Sequence, residues 1–253
     1  MPGKDHIIAT IEARMTSTRL PGKVLRECQG KSMLALMVER VRRAEHIDGI
    51  VVATTVNATD DVIVSEAEKL GVECFRGSED NVMSRVLEAS KAHRADVIVE
   101  LTGDCPLMDP ALIDEAVKKY LECGVDYLSN FNYLSFDTAE TYPIGCSVQV
   151  FGTEVLDDAF KRTDDPLDLE HVSRFIYQHL DLYSVKFIGA PEHLRAPDIS
   201  ITLDTPEDYQ LIKAVFDHLY PVNPEFILGD ILEFLQENPE IAALNQKIGR
   251  VKV

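Results

Sequence analysis

The stretch IIATIEARMTSTRLPGK, residues 7–23, joins a short apolar run to a polar and basic loop. The apolar run predicts a buried β-strand. The loop that follows carries three cations, Arg14, Arg19 and Lys23, with three hydroxyl side chains between the two arginines. Ligands of open parallel sheets bind beyond the carboxyl ends of the strands, where arginine and lysine can hold a polyphosphate. The stretch therefore predicts a parallel α/β sheet with a phosphate-binding loop after its first strand.

The loop lacks the two common nucleotide-binding motifs. It contains neither G-x-G-x-x-G nor the Walker A pattern G-x-x-x-x-G-K-[ST], so the sequence does not support a Rossmann dinucleotide site or a P-loop ATPase. The alternative to a phosphate site is a solvated basic surface loop. A phosphate-binding role is favoured because a basic cluster is unusual in a chain whose composition is strongly acidic.

Charge and composition narrow the classes of function. The 253 residues are 45% hydrophobic, enough for a globular core, and carry 25 Lys and Arg against 43 Asp and Glu, a formal net charge of −18. A surface this acidic repels a phosphate backbone, which argues against nucleic-acid binding.

No apolar run approaches the ~20 residues that span a bilayer, and five scattered cysteines support neither a disulfide framework nor a zinc site. We expect a cytoplasmic protein with no membrane partner.

Outward from the loop, apolar runs alternate with segments of helical periodicity. The predicted strands after the first are 50–54, 72–75, 96–101, 147–151, 183–188 and 199–203. The predicted helices are 34–41, 62–70, 82–87, 109–121, 153–162, 167–180, 205–220 and a helical C-terminal region, 224–246. This alternation predicts an α/β fold with a mostly parallel sheet. Because no repeat or Pro/Gly-rich linker divides the chain, we expect residues 1–253 to form a single domain.

Two further motifs place aspartates at predicted strand ends. The motif TGDCPL carries Asp104 after one predicted strand, and LDTPED carries Asp204 after another. Thr205 and Asp208 have the spacing of a helix capping box, which leaves Asp204 without a structural role. Strand-end carboxylates can hold Mg²⁺ against phosphate oxygens, so the two aspartates are predicted to share one divalent ion. The alternative for Asp104 is a turn residue that caps local N–H groups.

Together the motifs resemble those of the sugar-acid cytidylyltransferases, a family that includes CMP-KDO synthetase and CMP-acylneuraminate synthetase. The resemblance is strongest to the subgroup of spore-coat polysaccharide cytidylyltransferase-like proteins, whose loop typically reads ARMGSTRLPGK. Residues 13–23 differ from that loop only at Thr16. Similar segments follow in the family's order: RGSEDNV at 76–82, GDCPL at 103–107, YPIGCSVQVF at 142–151, EHV at 170–172 and DTPED at 204–208. The resemblance covers residues 7–220 and implies a Rossmann-like, three-layer α/β/α nucleotidyltransferase fold.

The resemblance also implies roles for individual side chains. The implied catalytic residues, which would hold the triphosphate of CTP, are Arg14, Arg19 and Lys23. The implied nucleotide-binding residues are Ala13, Arg14, Ser17, Arg76, Ser78, Arg85 and Asp104. The residues implied to border the acceptor pocket are Tyr142, Gly145 and Gln149. The implied ligands of the Mg²⁺ cofactor are Asp104 and Asp204.

The implied reaction transfers CMP from CTP to an acceptor and releases pyrophosphate. An acceptor oxygen attacks the α-phosphorus in line, while the cationic loop and Mg²⁺ stabilise the charge that builds on the phosphate oxygens. The family also implies a homodimer. Two alternatives stay open, a CTP-binding module without turnover and a nucleotide-sugar glycosyltransferase. The second usually has a D-x-D metal motif, whereas Cys-Pro follows Asp104 here.

Four positions depart from the family pattern. Thr16 replaces a glycine, which predicts strain if the loop requires a positive φ there. Glu12 stands where glutamine or proline is commoner, and it places a carboxylate beside the triphosphate. Ser147 and Gln149 replace an Asp and a Glu of the subgroup's motif, which removes negative charge from the expected acceptor pocket. We therefore expect an acidic acceptor, either a sugar acid or a small molecule that bears phosphate or phosphonate.

Overall fold

The computed structural model describes residues 5–134 and 141–248. Within these residues, seven strands form one sheet, and two short strands, β2 (Glu27–Cys28) and β3 (Lys31–Ser32), form a separate antiparallel hairpin. The strands of the large sheet are β1 (Ile7–Glu12), β4 (Gly49–Thr55), β5 (Glu73–Gly77), β6 (Val97–Thr102), β7 (Tyr127–Ser129), β8 (Gln149–Gly152) and β9 (Val185–Phe187). Their order across the sheet is β5-β4-β1-β6-β8-β7-β9. The sheet is mostly parallel, since β8 is antiparallel to both of its neighbours and the other pairs are parallel.

Helices cover both faces of the sheet. They are α1 (Met33–Val41), α2 (Asp61–Leu70), α3 (Val82–Ala92), α4 (Pro110–Cys123), α5 (Thr153–Phe160), α6 (Pro166–Glu170), α7 (Arg174–Gln178), α8 (Pro206–Leu219), α9 (Leu228–Glu237) and α10 (Pro239–Ala242). Side chains alternate between the two faces of a strand. Ile7 and Ile11 of β1 accordingly share a buried cluster with α1, α4 and α8, whereas Ile8 lies in a cluster with Ala89 of α3. The three-layer α/β/α architecture is confirmed.

Strand β1, the third in the sheet, marks a change in the direction of chain connections. It pairs in parallel with β4 on one side and with β6 on the other. The chain first builds the β4–β5 side and then crosses to β6, so the strand order reverses between β1 and β6. A reversal of this kind opens a crevice at the carboxyl ends of the strands, where ligands bind. The last residues of the two strands, Glu12 and Thr102, are register partners at this crevice.

Most predicted helices and strands are confirmed, but one helix and one strand predicted in the second half of the chain need correction. The helix predicted at 167–180 is two helices, α6 and α7, because the chain turns between them and Val172 has a positive φ of 40°. The segment 199–203 was predicted as a strand, which is wrong. It is largely buried, but its one β-bridge, between Ser200 and Ile144, is isolated and does not make it a strand.

Strand β7 was missed by the sequence reasoning. It has three residues, too few to display a period-two pattern, and all three are buried. The capping box at the start of α8 is confirmed. Helix α2 ends at Gly71, which has a φ of 62°. Among the described residues, no helix is long and apolar enough to cross a membrane.

Candidate active site

The basic loop after β1 is anchored to the neighbouring strand by Asp60. The side chain of Asp60 is fully buried and accepts hydrogen bonds from the Met15 N–H (2.9 Å) and from the hydroxyls of Thr54 (3.1 Å) and Thr55 (2.6 Å). The Gly22 N–H donates to the Met15 carbonyl at 3.0 Å, which closes the loop on itself. Asp60 is not among the residues predicted from the sequence, although its acidic side chain shortly after a predicted strand was an available signal.

The other predicted residues of the loop have mainly backbone roles in the structure. The Ala13 N–H donates to the Ala53 carbonyl at 3.2 Å, which extends the contact between β1 and β4. The Ser17 hydroxyl accepts a hydrogen bond of 3.4 Å from the Leu20 N–H. These contacts order the loop without using its three cations, and the roles of Ala13 and Ser17 toward a nucleotide stay predictions.

The threonine at position 16 causes no backbone strain. Its φ is not positive, so the strain considered for this departure from the family pattern does not arise. The Thr16 hydroxyl donates to Glu79 Oε1, and Arg14 Nη1 lies 3.6 Å from the same oxygen. The loop's first cation is therefore held toward the turn between β5 and α3.

Lys23 lies between Asp104, which follows β6, and Asp204, whose predicted place at a strand end is wrong because 199–203 is not a strand. Its Nζ is 3.0 Å from Asp104 Oδ2 and 2.8 Å from Asp204 Oδ1, and its side chain is only 14% exposed. Burial lowers the pKa of Lys23, but the charges and hydrogen bonds of the two aspartates outweigh burial, and the pKa lies above its ordinary value. The ammonium group therefore stays charged at neutral pH.

The two aspartates are brought together by main-chain contacts as well as by Lys23. The Leu203 N–H donates to the Asp104 carbonyl at 2.7 Å, and Arg19 Nη2 lies 3.1 Å from Asp204 Oδ2. Burial raises the pKa of Asp104, but the charge and hydrogen bond of Lys23 reverse the effect and hold this pKa below its ordinary value. The structure thus assembles two cations, Arg19 and Lys23, and the two aspartates at one point beside the crevice.

Arg76 lies at the other end of the site and binds the loop that follows β4. Its guanidinium donates to the carbonyls of Thr55 (2.9 Å) and Asn57 (2.8 Å) and to Asp61 Oδ1 (2.6 Å). These hydrogen bonds give Arg76 a structural role in holding the loop after β4. Direct contact between Arg76 and a nucleotide stays a prediction.

Arg85 fixes the turn that contains Ser78. The residue is 3% exposed, and its Nη1 donates to the carbonyls of Ser78 and Glu79. Gly77 is required for this approach, because a Cβ there would lie 2.9 Å from Arg85 Cγ. The Ser78 hydroxyl accepts from the Asn81 N–H at 3.1 Å. The structure therefore places the two predicted residues together, on the side of the site that Arg14 faces.

Two buried carboxyl groups, Glu12 on β1 and Glu100 on β6, lie on the α3 face of the sheet beneath the crevice. Burial raises the pKa of Glu12 to about 8, with Arg85 opposing the increase and Asp104 adding to it. Burial and the charge of Glu12 raise the pKa of Glu100 well above its ordinary value. Glu12 is thus mostly protonated at neutral pH, so the negative charge expected beside the triphosphate is largely absent.

The residues expected at the acceptor pocket lie deeper than predicted. Tyr142 is 2% exposed within the main hydrophobic core, and its hydroxyl is 3.4 Å from Glu115 Oε2. Gln149 is also buried, and its Oε1 accepts hydrogen bonds of 2.6 Å from both Tyr127 and Ser173. Both side chains are buried and hydrogen-bonded to other residues in this structure, and contact with an acceptor stays a prediction.

Gly145 positions the segment that leads to Asp204. Its φ is 102°, and a Cβ at this position would lie 2.8 Å from the carbonyl carbon of Ile201. The neighbouring Ile144 exchanges backbone hydrogen bonds with this segment, donating to Ile199 at 2.9 Å and accepting from Ile201 at 2.8 Å. Gly145 therefore acts on the site through the backbone, by allowing this close approach.

The donor set at Asp104 and Asp204 fits a magnesium ion. One oxygen of each carboxylate already approaches a shared positive charge, Lys23 Nζ. Within residues 5–134 and 141–248, no group of three or more His, Cys, Asp or Glu side chains is arranged to hold a metal. Mg²⁺ usually takes one or two carboxylates and completes its shell with water and substrate phosphates. Two aspartates beside a cationic loop match that pattern and do not match an all-protein cage.

The fold and the site define a nucleotidyltransferase. The sequence profile of the cytidylyltransferase family matches residues 8–243, and the chain belongs to this family. An uncharacterized protein of Methanocaldococcus jannaschii is 36% identical over 96% of this chain and 95% of its own length. The spore coat polysaccharide biosynthesis protein SpsF of Bacillus subtilis is 35% identical over 94% of this chain and 97% of its own length.

Solved structures agree with this assignment. A cytidylyltransferase from Leptospira borgpetersenii superposes with a TM-score of 0.84 at 30% identity, covering 97% of this chain and 98% of its own. A CMP-KDO synthetase determined with CTP superposes with a TM-score of 0.61 at 17% identity, over 84% of this chain and 98% of its own. The second similarity establishes a common fold.

Proposed function

We propose that this protein transfers CMP from CTP to a small acidic acceptor, with release of pyrophosphate, in a reaction that requires Mg²⁺. The observation that carries the proposal is the position of Lys23 Nζ, 3.0 Å from Asp104 and 2.8 Å from Asp204, with Arg19 alongside. Cations suit the triphosphate, and the carboxylates suit its metal ion. The names of the relatives, which refer to CTP and to spore coat polysaccharide synthesis, support the same substrate classes.

The chemistry in this proposal depends on position and charge. An acceptor oxygen forms a bond to the α-phosphorus as the bond to the bridging oxygen of the β-phosphate breaks, and pyrophosphate leaves. Arg19 and Lys23 are positioned to stabilise the negative charge that builds on the phosphate oxygens and the leaving group. Mg²⁺, held by Asp104 and Asp204, supplies further charge neutralisation when it is bound. The mechanism needs no nucleophilic side chain.

The polar groups near Gln149 suit an anionic acceptor. Gln149 and Ser147 are uncharged, and the Ser147 hydroxyl lies 2.5 Å from the Tyr133 hydroxyl. Burial and the charge of Glu12 raise the pKa of the neighbouring Glu100 well above its ordinary value, which disfavours a negative charge there. Amide and hydroxyl groups can bind a carboxylate or phosphate without repelling it, so the acceptor is proposed to be a sugar acid or a phosphate-bearing or phosphonate-bearing small molecule.

The proposal places the reaction in the cytoplasm and includes a homodimer. Free cysteines at all five positions fit a reducing compartment. Size-exclusion chromatography with light scattering tests the dimer, which a monomeric mass at micromolar concentration would exclude.

A pyrophosphate-release screen tests the reaction. Each of the four nucleoside triphosphates is combined with sugar acids, phosphorylated and phosphonate small molecules and neutral sugars, with Mg²⁺ or with EDTA. We expect release only with CTP, Mg²⁺ and an acidic acceptor. Asp104→Asn serves as the inactive comparison, and Lys69→Met serves as the active one, because Lys69 is an exposed surface lysine paired with Glu66.

Three other outcomes would redirect the assignment. Tight CTP binding without turnover on the full panel would identify a nucleotide-binding module. Transfer from a preformed nucleotide-sugar would identify a glycosyltransferase. A neutral sugar as the best acceptor would contradict the acidic-acceptor part of the proposal and leave nucleotidyl transfer standing.

A further inference from the structure

The carboxylate of Glu79 joins three loops, which follow the carboxyl ends of β1, β4 and β5. Its Oε1 accepts a hydrogen bond from the Thr16 hydroxyl and lies 3.6 Å from Arg14 Nη1, both in the basic loop after β1. Its Oε2 accepts a hydrogen bond of 2.5 Å from Nδ2 of Asn57, in the loop after β4. One side chain of the turn between β5 and α3 therefore connects the basic loop to its neighbours.

The turn that carries Glu79 is held independently of the basic loop. Arg85 of α3 is 3% exposed, and its Nη1 donates to the carbonyls of Ser78 and Glu79. The Ser78 hydroxyl accepts from the Asn81 N–H at 3.1 Å. A carboxylate on a turn with this support presents its oxygens in a fixed direction, which is what the positioning of another side chain requires.

Asp60 and Glu79 hold different parts of the basic loop. Asp60 accepts from the Met15 N–H and thereby fixes the backbone next to Arg14. This contact does not restrain the long side chain of Arg14, which is 44% exposed and so is not held by packing. Glu79 supplies the restraint, because its Oε1 attracts the guanidinium and is itself bound by Thr16, two residues further along the loop.

A carboxylate at this place is otherwise unfavourable for a phosphate-binding site. The protein already carries a net charge of −18, and a further negative charge beside the basic loop repels a triphosphate. Exposed ion pairs contribute little to stability, so the free energy of unfolding does not explain the contact with Arg14. Arg14 does have a nearby like charge: burial lowers the pKa of Arg85, Arg14 adds to this effect, and Glu79 is among the carboxylates that oppose it.

We propose that Glu79 is a positioning residue for nucleotide binding. With Thr16, it offsets the repulsion between the two arginines and directs the guanidinium of Arg14, so that less conformational entropy is lost when a phosphate binds there. The role rests on the proposed function, because it requires a triphosphate on the basic loop. The Thr16 contact belongs to this chain rather than to the family pattern, since the glycine of that pattern has no hydroxyl.

CTP binding tests whether Glu79 acts through position or through charge alone. Calorimetry with Mg²⁺ measures the dissociation constant of CTP for the wild type, Glu79→Gln and Glu88→Gln. A positioning role predicts that Glu79→Gln binds CTP about 2- to 10-fold more weakly. Charge alone predicts tighter binding, because a repelling charge is removed. Unchanged or tighter binding would therefore overturn the proposal. Glu88→Gln is the matched control, because Glu88 pairs only with Lys91 on the surface of α3, and its binding should stay within twofold of wild type.

An Arg14→Ala background separates positioning from a general effect on the fold. In that background, Glu79→Gln should no longer weaken CTP binding, because the side chain that it directs is absent. Equal losses with and without Arg14 would overturn the proposal and leave Glu79 a structural residue. Urea denaturation should give nearly the same free energy of unfolding for Glu79→Gln and the wild type, since the contacts are exposed.

Thr16 gives an independent check by a conservative substitution. Thr16→Val removes the hydroxyl at nearly constant volume and should weaken CTP binding, whereas Thr16→Ser keeps the hydroxyl and should bind like the wild type. Equal affinities for the two Thr16 variants would remove the hydroxyl from the proposal. If the wild type binds CTP and releases pyrophosphate while Glu79→Gln binds equally well, the role of Glu79 alone is rejected. If the wild type binds no nucleoside triphosphate, the proposed function is rejected with it.

Discussion

Lys23 Nζ lies 2.8 Å from Asp204 Oδ1, although 181 residues separate the two in the chain. The contact joins the loop after the first strand to the residue just before the capping box of α8. Asp104 contacts the same ammonium group, and Arg19 pairs with Asp204, so the two cations and the two carboxylates neutralise one another. Binding of Mg²⁺ and phosphate must redistribute these charges, with the metal on the carboxylates and the lysine on the phosphates.

Lys23→Met should nearly abolish pyrophosphate release. The variant removes a preorganised charge aimed at the phosphates, and contacts of this kind contribute about 10²-fold or more to rate. Steady-state kinetics with CTP and the best acceptor measure the loss. Lys69→Met is the control, because its side chain is 74% exposed and its i,i+3 partner Glu66 makes only a surface ion pair. Equal activity in the two variants would contradict the assignment.

Asp104→Asn and Asp204→Asn should weaken the dependence of CTP binding on Mg²⁺. In an acidic protein, the metal and a short basic loop must offset long-range repulsion of the nucleotide, so wild-type affinity should fall strongly when the metal is chelated. Calorimetric titration of CTP with Mg²⁺ or EDTA measures the difference. If the wild type binds CTP equally well with the metal chelated, the two aspartates do not hold a magnesium ion.

Asp60→Asn should lower stability and weaken CTP binding by releasing the basic loop from its anchor. The substitution removes a buried carboxylate that accepts from Met15, Thr54 and Thr55, and hydrogen bonds to charged groups contribute about 1.5–3 kcal/mol each. We expect a loss of about 2 kcal/mol or more in the free energy of unfolding, together with weaker CTP binding as the loop loses its anchor. Urea denaturation and calorimetry measure both effects. Glu122→Gln is the control, because its ion pair lies on the surface; a similar loss there would argue against an anchoring role.

Gly145→Ala should cost more stability than Gly71→Ala. Both glycines have positive φ, so both alanines meet backbone strain of about 1–2 kcal/mol. At Gly71 a Cβ meets no atom within 4 Å, whereas at Gly145 it lies 2.8 Å from the backbone of Ile201. The second variant should therefore displace the segment before Asp204 and also reduce turnover. Thermal unfolding and pyrophosphate release, compared between the two variants, test this; equal losses would mean that the close approach is unimportant.

Stability should fall as the pH rises toward 8. The pKa of Glu12 is raised from 4.5 to about 8, so the folded protein binds a proton that the unfolded chain releases above pH 4.5. Folding is therefore favoured below the folded-state pKa, and this contribution is lost between pH 4.5 and 8, with a slope of at most about 1.4 kcal/mol per pH unit. Glu100, whose pKa is also raised, acts in the same direction.

Urea denaturation at several pH values between 5 and 8.5 measures this slope. Glu12→Gln removes one titrating group while keeping a similar shape, so its slope should be shallower than that of the wild type. Identical slopes for the two proteins would show that Glu12 titrates normally in the folded state.

Many of the helices and strands could be predicted from local hydrophobic patterns and capping motifs in the sequence. Apolar runs such as 7–11 and 50–54 alternate with helical periodicity, and local capping signals such as Thr205 with Asp208 fix helix starts. The segment 199–203 was misread because its buried apolar residues are the same ones a strand would have. Its backbone instead follows Ile144 and Gly145, a distant contact that no local pattern encodes.

The candidate site divides in the same way. The sequence determined the basic loop, the motifs that carry Asp104 and Asp204, and the family to which they belong, because each is a contiguous motif with its own chemistry. It also determined the net charge of −18. In a chain this acidic, a short basic loop indicates a specific function. Only the tertiary structure decided that Lys23 lies between Asp104 and Asp204, that Asp60 anchors the loop, and that Glu12 is largely neutral at pH 7. Interatomic distances and burial depend on residues that are far apart in the chain. They determine which side chains are charged at neutral pH and which atoms come into contact.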